Sequence, residues 1–120
     1  MHRWDAQTAA GLDATLDPTL SSHGLHEYLE MGLPRVLART ETPVPPVSLH
    51  VHCTDVDGEW LVWSDSGTYR MLPVHDKGDA ALRGRAADIW LVLMGRLDRS
   101  ELDIVGDPAT AAAWLDLPGW

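Results

Sequence analysis

Residues 89–94, Ile-Trp-Leu-Val-Leu-Met, form an uninterrupted run of six apolar side chains. A helix carrying such a run has no polar face, so protein must cover nearly all of its sides. The run is far too short to cross a bilayer, which takes about 20 apolar residues. It therefore predicts a buried helix over 85–96 packed against a sheet. The flanks read as strands, 79–84 entering the helix and 102–106 leaving it. Gly106-Asp107-Pro108 then opens a last helix, because Asp is a good N-cap and Pro suits the first helical position.

Upstream, the apolar period divides the chain in two. Residues 2–12 read as a helix with Trp4, Thr8 and Leu12 on one face. Asp17-Pro18 starts a second helix running to about residue 39, bent near Gly32 and Pro34, with Leu25, Tyr28, Leu29, Leu33, Val36 and Leu37 at helical spacing. Residues 42–46 hold three prolines and read as a stiff crossing. Beyond it the period becomes two: Val47, Leu49, Val51 and Cys53 face one way, and Ser48, His50 and His52 the other. Asp57-Gly58 signals a hairpin, with a return strand over 59–63. Ser66-Gly67 turns the chain again, into a third strand over 68–74 with Pro73 near its end. The expected fold is α+β: an antiparallel, mostly meander sheet of about five strands with helices packed on one face.

At 120 residues the chain is long enough for one domain with a real core. A formal net charge of −9 argues against a nucleic-acid partner and against an anionic membrane surface. The N-terminus lacks the apolar core of a signal peptide, and a lone cysteine, Cys53, forms no internal disulfide, so a cytoplasmic protein is expected. Lys77 is the one lysine among nine basic residues and phenylalanine is absent, which suggests a GC-rich genome.

The segment Leu-Arg-Gly-Arg-Ala-Ala-Asp-Ile-Trp-Leu-Val-Leu-Met-Gly-Arg-Leu (82–97), followed by Ile-Val-Gly-Asp-Pro-Ala (104–109) and Trp114-Leu115, resembles the C-terminal domain of the actinobacterial-type, mycothiol-dependent maleylpyruvate isomerase family. More loosely it resembles the sterol-carrier-like α+β fold. His2-Arg3-Trp4-Asp5 extends the resemblance, being similar to the close of the last helix in that family's DinB-like four-helix bundle. The resemblance implies a single domain over 1–120, with 1–14 as a remnant of the bundle helix and 17–120 as the isomerase-family C-terminal α+β domain. It implies mycothiol and a divalent metal, zinc, for the full architecture, with His2 as a metal ligand only if a bundle supplies the others. A catalytic zinc takes about three protein ligands, and the glutamate expected four residues before His2 would precede Met1. The expectation is an accessory or binding domain, not catalytic alone, whose partner is a DinB-like bundle protein or a small molecule. The resemblance also implies an active-site arginine, placed here at Arg96, since a guanidinium fork suits a dicarboxylate or a thiol cofactor's carboxylate.

Two other functions compete. The first is a small sterol-carrier-like protein with an apolar ligand between the buried helix and the sheet, bordered by Trp60, Trp90 and Arg83. The second is a small metalloprotein using His50, His52 and His75, because three imidazoles with an open position make a water-activating zinc site. The plainer readings are core packing for the tryptophans, sheet-face imidazoles for the histidines, and dipole-matched helix ends for Arg96 and Arg99. His23, His26 and Glu30 read as a solvated helix face. Cys53, inward on its strand, reads as an inert thiol. Trp4 and Trp120 at the ends also permit a homodimer that covers them.

Overall fold

The computed structural model describes residues 17–118. The expected helix over 2–12, His2, Trp4 and Trp120 lie outside those residues. The first described helix, α1 (Pro18–Glu27), begins where the sequence says: the Asp17 carboxylate accepts the Thr19 N–H at 2.8 Å. One π turn, Tyr28–Gly32, joins it to α2 (Leu33–Arg39). The π turn is the chain's answer to Pro34. In the wider register the Leu33 N–H reaches the Tyr28 carbonyl. The next donor in that register would be Pro34, which has none, so Leu29 loses its partner. The Tyr69 hydroxyl, from across the domain, donates to the Leu29 carbonyl at 2.6 Å instead.

The strands are β1 (Leu49–Cys53), β2 (Glu59–Asp65), β3 (Thr68–Leu72), β4 (Ala80–Gly84) and β5 (Asp103–Gly106), in the spatial order β3-β2-β1-β4-β5. The turn between β2 and β3 has positive φ at both Ser66 and Gly67, the two-residue geometry that matches strand twist. The sheet is mixed, which corrects the antiparallel expectation: β4 lies parallel beside β1, and the other pairs are antiparallel. The chain leaves β3 and crosses back to the far edge of β1, because Ala80 and Leu82 of β4 are fully apolar on the core face and are almost completely buried. β3, alternately exposed, can serve as an edge.

The buried run forms α3 (Ala86–Leu93), three residues shorter at its end than expected. Gly95 stops it. Its φ of +74° lets the Gly95 N–H reach the Val92 carbonyl and the Arg96 N–H reach the Leu91 carbonyl at 2.8 Å, the paired bonds of a glycine-terminated helix. The last helix, α4 (Pro108–Leu115), starts on an Asp107 cap as expected. Leu25, Leu82, Ala86 and Ile89 have no exposed surface, so no water-sized void touches them between helices and sheet. Around these four residues the space between helices and sheet is filled. Trp90 closes it from the side, packed so near Gly24 that a Cβ on that glycine would meet the ring at 3.2 Å. No helix among the described residues is long and apolar enough to cross a membrane.

Candidate functional site

The alternation of β1 sends Leu49, Val51 and Cys53 into the core and His50 and His52 to the other face, as the period of two requires. Glu59 begins β2 directly opposite His52, so its side chain shares the histidine face. His75 arrives from the connection between β3 and β4. That connection is held tightly against β1. The Asp79 carboxylate accepts the Ser48 N–H at 2.8 Å, the Ser48 hydroxyl accepts the Asp79 N–H at 2.9 Å, and a Cβ on Gly78 would come within 2.8 Å of the His50 backbone nitrogen.

These elements bring three imidazoles onto one carboxylate oxygen. Nδ1 of His52 and Nδ1 of His75 both hydrogen-bond Glu59 Oε1, and Nε2 of His50 lies 3.2 Å from the same atom. The rings stand edge to face, with centroids 5.5–6.2 Å apart. His50 is buried, His52 and Glu59 are half-buried, and His75 is open to solvent. The contacts from His75 and His52 hold the Glu59 carboxyl down at about 2. Burial pulls the His50 imidazole below its usual value against the opposing pull of Glu59. Among the described residues, one group of His, Cys, Asp or Glu side chains converges closely enough to hold a metal ion, and it is this one. The sequence reading found its three histidines and missed Glu59, whose signal lay in the strand register.

The cluster borders an open cleft of about 1150 Å³ around the β1–β2 connection, which runs to α1. Val56, Trp60, Pro73 and Val74 give it apolar walls, and His23, His26, Asp55 and Asp57 polar ones. The Trp60 indole donates to His26 Nδ1 at 3.1 Å, which makes that nitrogen an acceptor and leaves the proton on Nε2, 2.7 Å from Glu30 Oε2. Both ring nitrogens of His26 thus have protein partners. The Asp55 carboxylate accepts the Ala86 N–H at 2.9 Å and caps α3 from the β1–β2 connection. Burial, and then Asp55 and Glu59, push the Cys53 thiol up to about 12, in keeping with an inert residue.

The other expected site residues are dispersed. Trp60 lines the cleft, Trp90 packs on Gly24, and Arg83 lies in a smaller depression of about 390 Å³ with Arg85, Asp88 and Asp103. Arg96 is exposed in the turn after α3 and lines neither hollow. Its place beside Gly95 follows from the helix stop. Arg99 pairs with Asp116 rather than with the end of α3.

No protein-family profile matches the sequence, and no curated protein does. The likeness to the maleylpyruvate isomerase family accordingly rests on the short motifs quoted above. Solved structures do match. One is a ubiquinone synthesis protein, UbiJ-SCP2, at TM-score 0.50 and 15% identity, covering 82% of this chain and 93% of that one. Another is the sterol carrier protein domain 2 of Helicoverpa armigera, at TM-score 0.51 and 15% identity, covering 80% of each. A third is the stereoselective inverting sec-alkylsulfatase Pisa1 from Pseudomonas sp., at TM-score 0.52 and 12% identity, covering 62% of this chain. The chain spans only 13% of the sulfatase's length. At these identities the likeness is one of fold: the chain has the sterol-carrier-like α+β architecture, with a five-stranded mixed sheet.

Proposed function

We propose that this chain is a small binding domain of the sterol-carrier type that takes an amphipathic ligand in the cleft beside α1. The observation that carries this reading is the cleft itself. Its volume of about 1150 Å³ is ample for a lipid-sized molecule, and it pairs an apolar wall of Val56, Trp60, Pro73 and Val74 with convergent polar groups. The two similar small structures are named for ubiquinone synthesis and for sterol carriage, and both of those molecules are largely apolar. Because the space around Leu25, Leu82 and Ile89 is filled, the ligand's apolar part lies against the accessible side chains of Val56, Pro73 and Val74 and its polar end toward the histidines.

The test is native mass spectrometry of the freshly purified chain, followed by titration of the delipidated protein with a fluorescent fatty acid. Arg at Val56 or Val74 places a charge on the apolar wall. Both positions are at least partly exposed, so the fold tolerates the change. Binding weakened at least about tenfold in Val56→Arg and Val74→Arg is expected, since burying an unpaired charge costs well over 1.4 kcal/mol. Absent binding, or equal binding in wild type and both variants, refutes the reading.

A further inference from the structure

We propose that His50, His52, His75 and Glu59 hold one divalent transition-metal ion, and that zinc is the ion their donors suit best. The inference stands on the cluster's own geometry and holds whether or not the cleft takes an apolar ligand. Four side chains from three segments (β1, the start of β2 and the β3–β4 connection) present one donor atom each, all within 4.8 Å of one another. Donor atoms around a tetrahedral zinc, at metal–nitrogen distances of about 2.0–2.1 Å, lie roughly 3.4 Å apart. The rings are already arranged for it. Three imidazoles on one zinc place their centroids roughly 5 Å apart, and those of His50, His52 and His75 stand at 5.5, 5.7 and 6.2 Å.

The ring nitrogens point inward at one place, marked by Glu59 Oε1. A single carboxylate oxygen shared by three imidazoles is a crowded acceptor. An ion at that place would use the same three nitrogens as lone-pair donors, with the Glu59 carboxylate turned to become the fourth ligand. Imidazole-rich donors select zinc and its neighbours over magnesium or calcium, which prefer all-oxygen shells. With all four ligands from the chain the site is a closed, structural one rather than a catalytic one. Its effect is to tie the β3–β4 connection to the sheet through His75, on the rim of the cleft. The exposure of His75 gives the ion a way in.

The experiment uses the full chain, without a histidine tag, stripped by chelator and titrated with zinc by calorimetry and with cobalt by visible absorption. The expected result is one equivalent of zinc, the intense visible bands of tetrahedral cobalt, and no competition from calcium or magnesium. His75→Ala is the decisive variant, because its side chain is 76% exposed and its loss leaves the fold intact. Affinity should fall by more than about tenfold, the size of effect that even the outer partners of a metal site have. His52→Ala should behave alike, with circular dichroism confirming its fold. Absent zinc uptake overturns the proposal. So does uptake that both variants leave unchanged, since the ion would then lie elsewhere.

Discussion

Removing one oxygen from Tyr69 probes how the bent helix is held. The Tyr69 hydroxyl donates to the Leu29 carbonyl at 2.6 Å, and the ring lies edge-on to Trp114 at a centroid distance of 6.1 Å. Burial raises the phenol's pKa, so it remains a neutral donor throughout the ordinary pH range. Tyr69→Phe keeps the ring and strips the partner from a carbonyl at the π turn. A buried acceptor left unpaired costs about 1–3 kcal/mol. For a domain of this size each kcal/mol moves the melting temperature by about 4 °C, so a drop of about 4–12 °C is expected. Pro34 supplies the internal control. In Pro34→Ala the backbone regains an N–H able to serve the π-turn carbonyls, so Tyr69→Phe should cost less in that background. A double-mutant cycle measured by thermal denaturation isolates this coupling. A cost under about 0.5 kcal/mol for Tyr69→Phe, or the same cost in both backgrounds, would refute the claim that the hydroxyl stands in for the missing proline donor.

Two further outcomes concern residues that line the cleft, Asp55 and Cys53. Asp55→Ala removes the only side-chain cap that the described residues show for α3, and should lower stability by about 1 kcal/mol in urea unfolding. An unchanged midpoint would mean that water caps the helix as well. Cys53, 3% exposed and with its thiol pushed up to about 12, stays protonated at pH 8, where an ordinary thiol of pKa about 8.5 is partly thiolate. Iodoacetamide should label it only after denaturation, and rapid labelling of the folded chain would show that β1 opens.

In this chain the helix–sheet space is occupied by Leu25, Leu82 and Ile89. Available volume lies instead at the end of the sheet, where the β1–β2 connection, α1 and the β3–β4 connection meet. The proposed ligand and the proposed metal ion share that end without requiring each other.

Several features were decided by residues close together in sequence. Asp17-Pro18 and Asp107-Pro108 start helices because a carboxylate caps and a proline needs no donor. In the run 89–94, Ile89, Leu91 and Val92 are buried while Trp90, Leu93 and Met94 are half-buried, and the alternation of 47–53 separates Val51 from His50 and His52 because successive strand residues point oppositely. Local pattern chooses a face but not a neighbour. A two-residue turn at Asp57-Gly58 would set His52 opposite Trp63. The observed five-residue connection shifts the register so that His52 meets Glu59, on the same face. Likewise, nothing in 79–84 says whether that strand pairs with β3 or β1. The parallel place beside β1 follows from burying Ala80 and Leu82 at the centre of the sheet, and the same crossing carries His75 over His50 and His52. Local sequence marked the two Asp-Pro helix starts, the strand faces and the Ser66-Gly67 turn, since those are short-range matters of periodicity and hydrogen bonding. Tertiary structure alone assembled the four-residue cluster and the cleft, because strand order and register are choices among distant partners, made by the burial of the whole sheet.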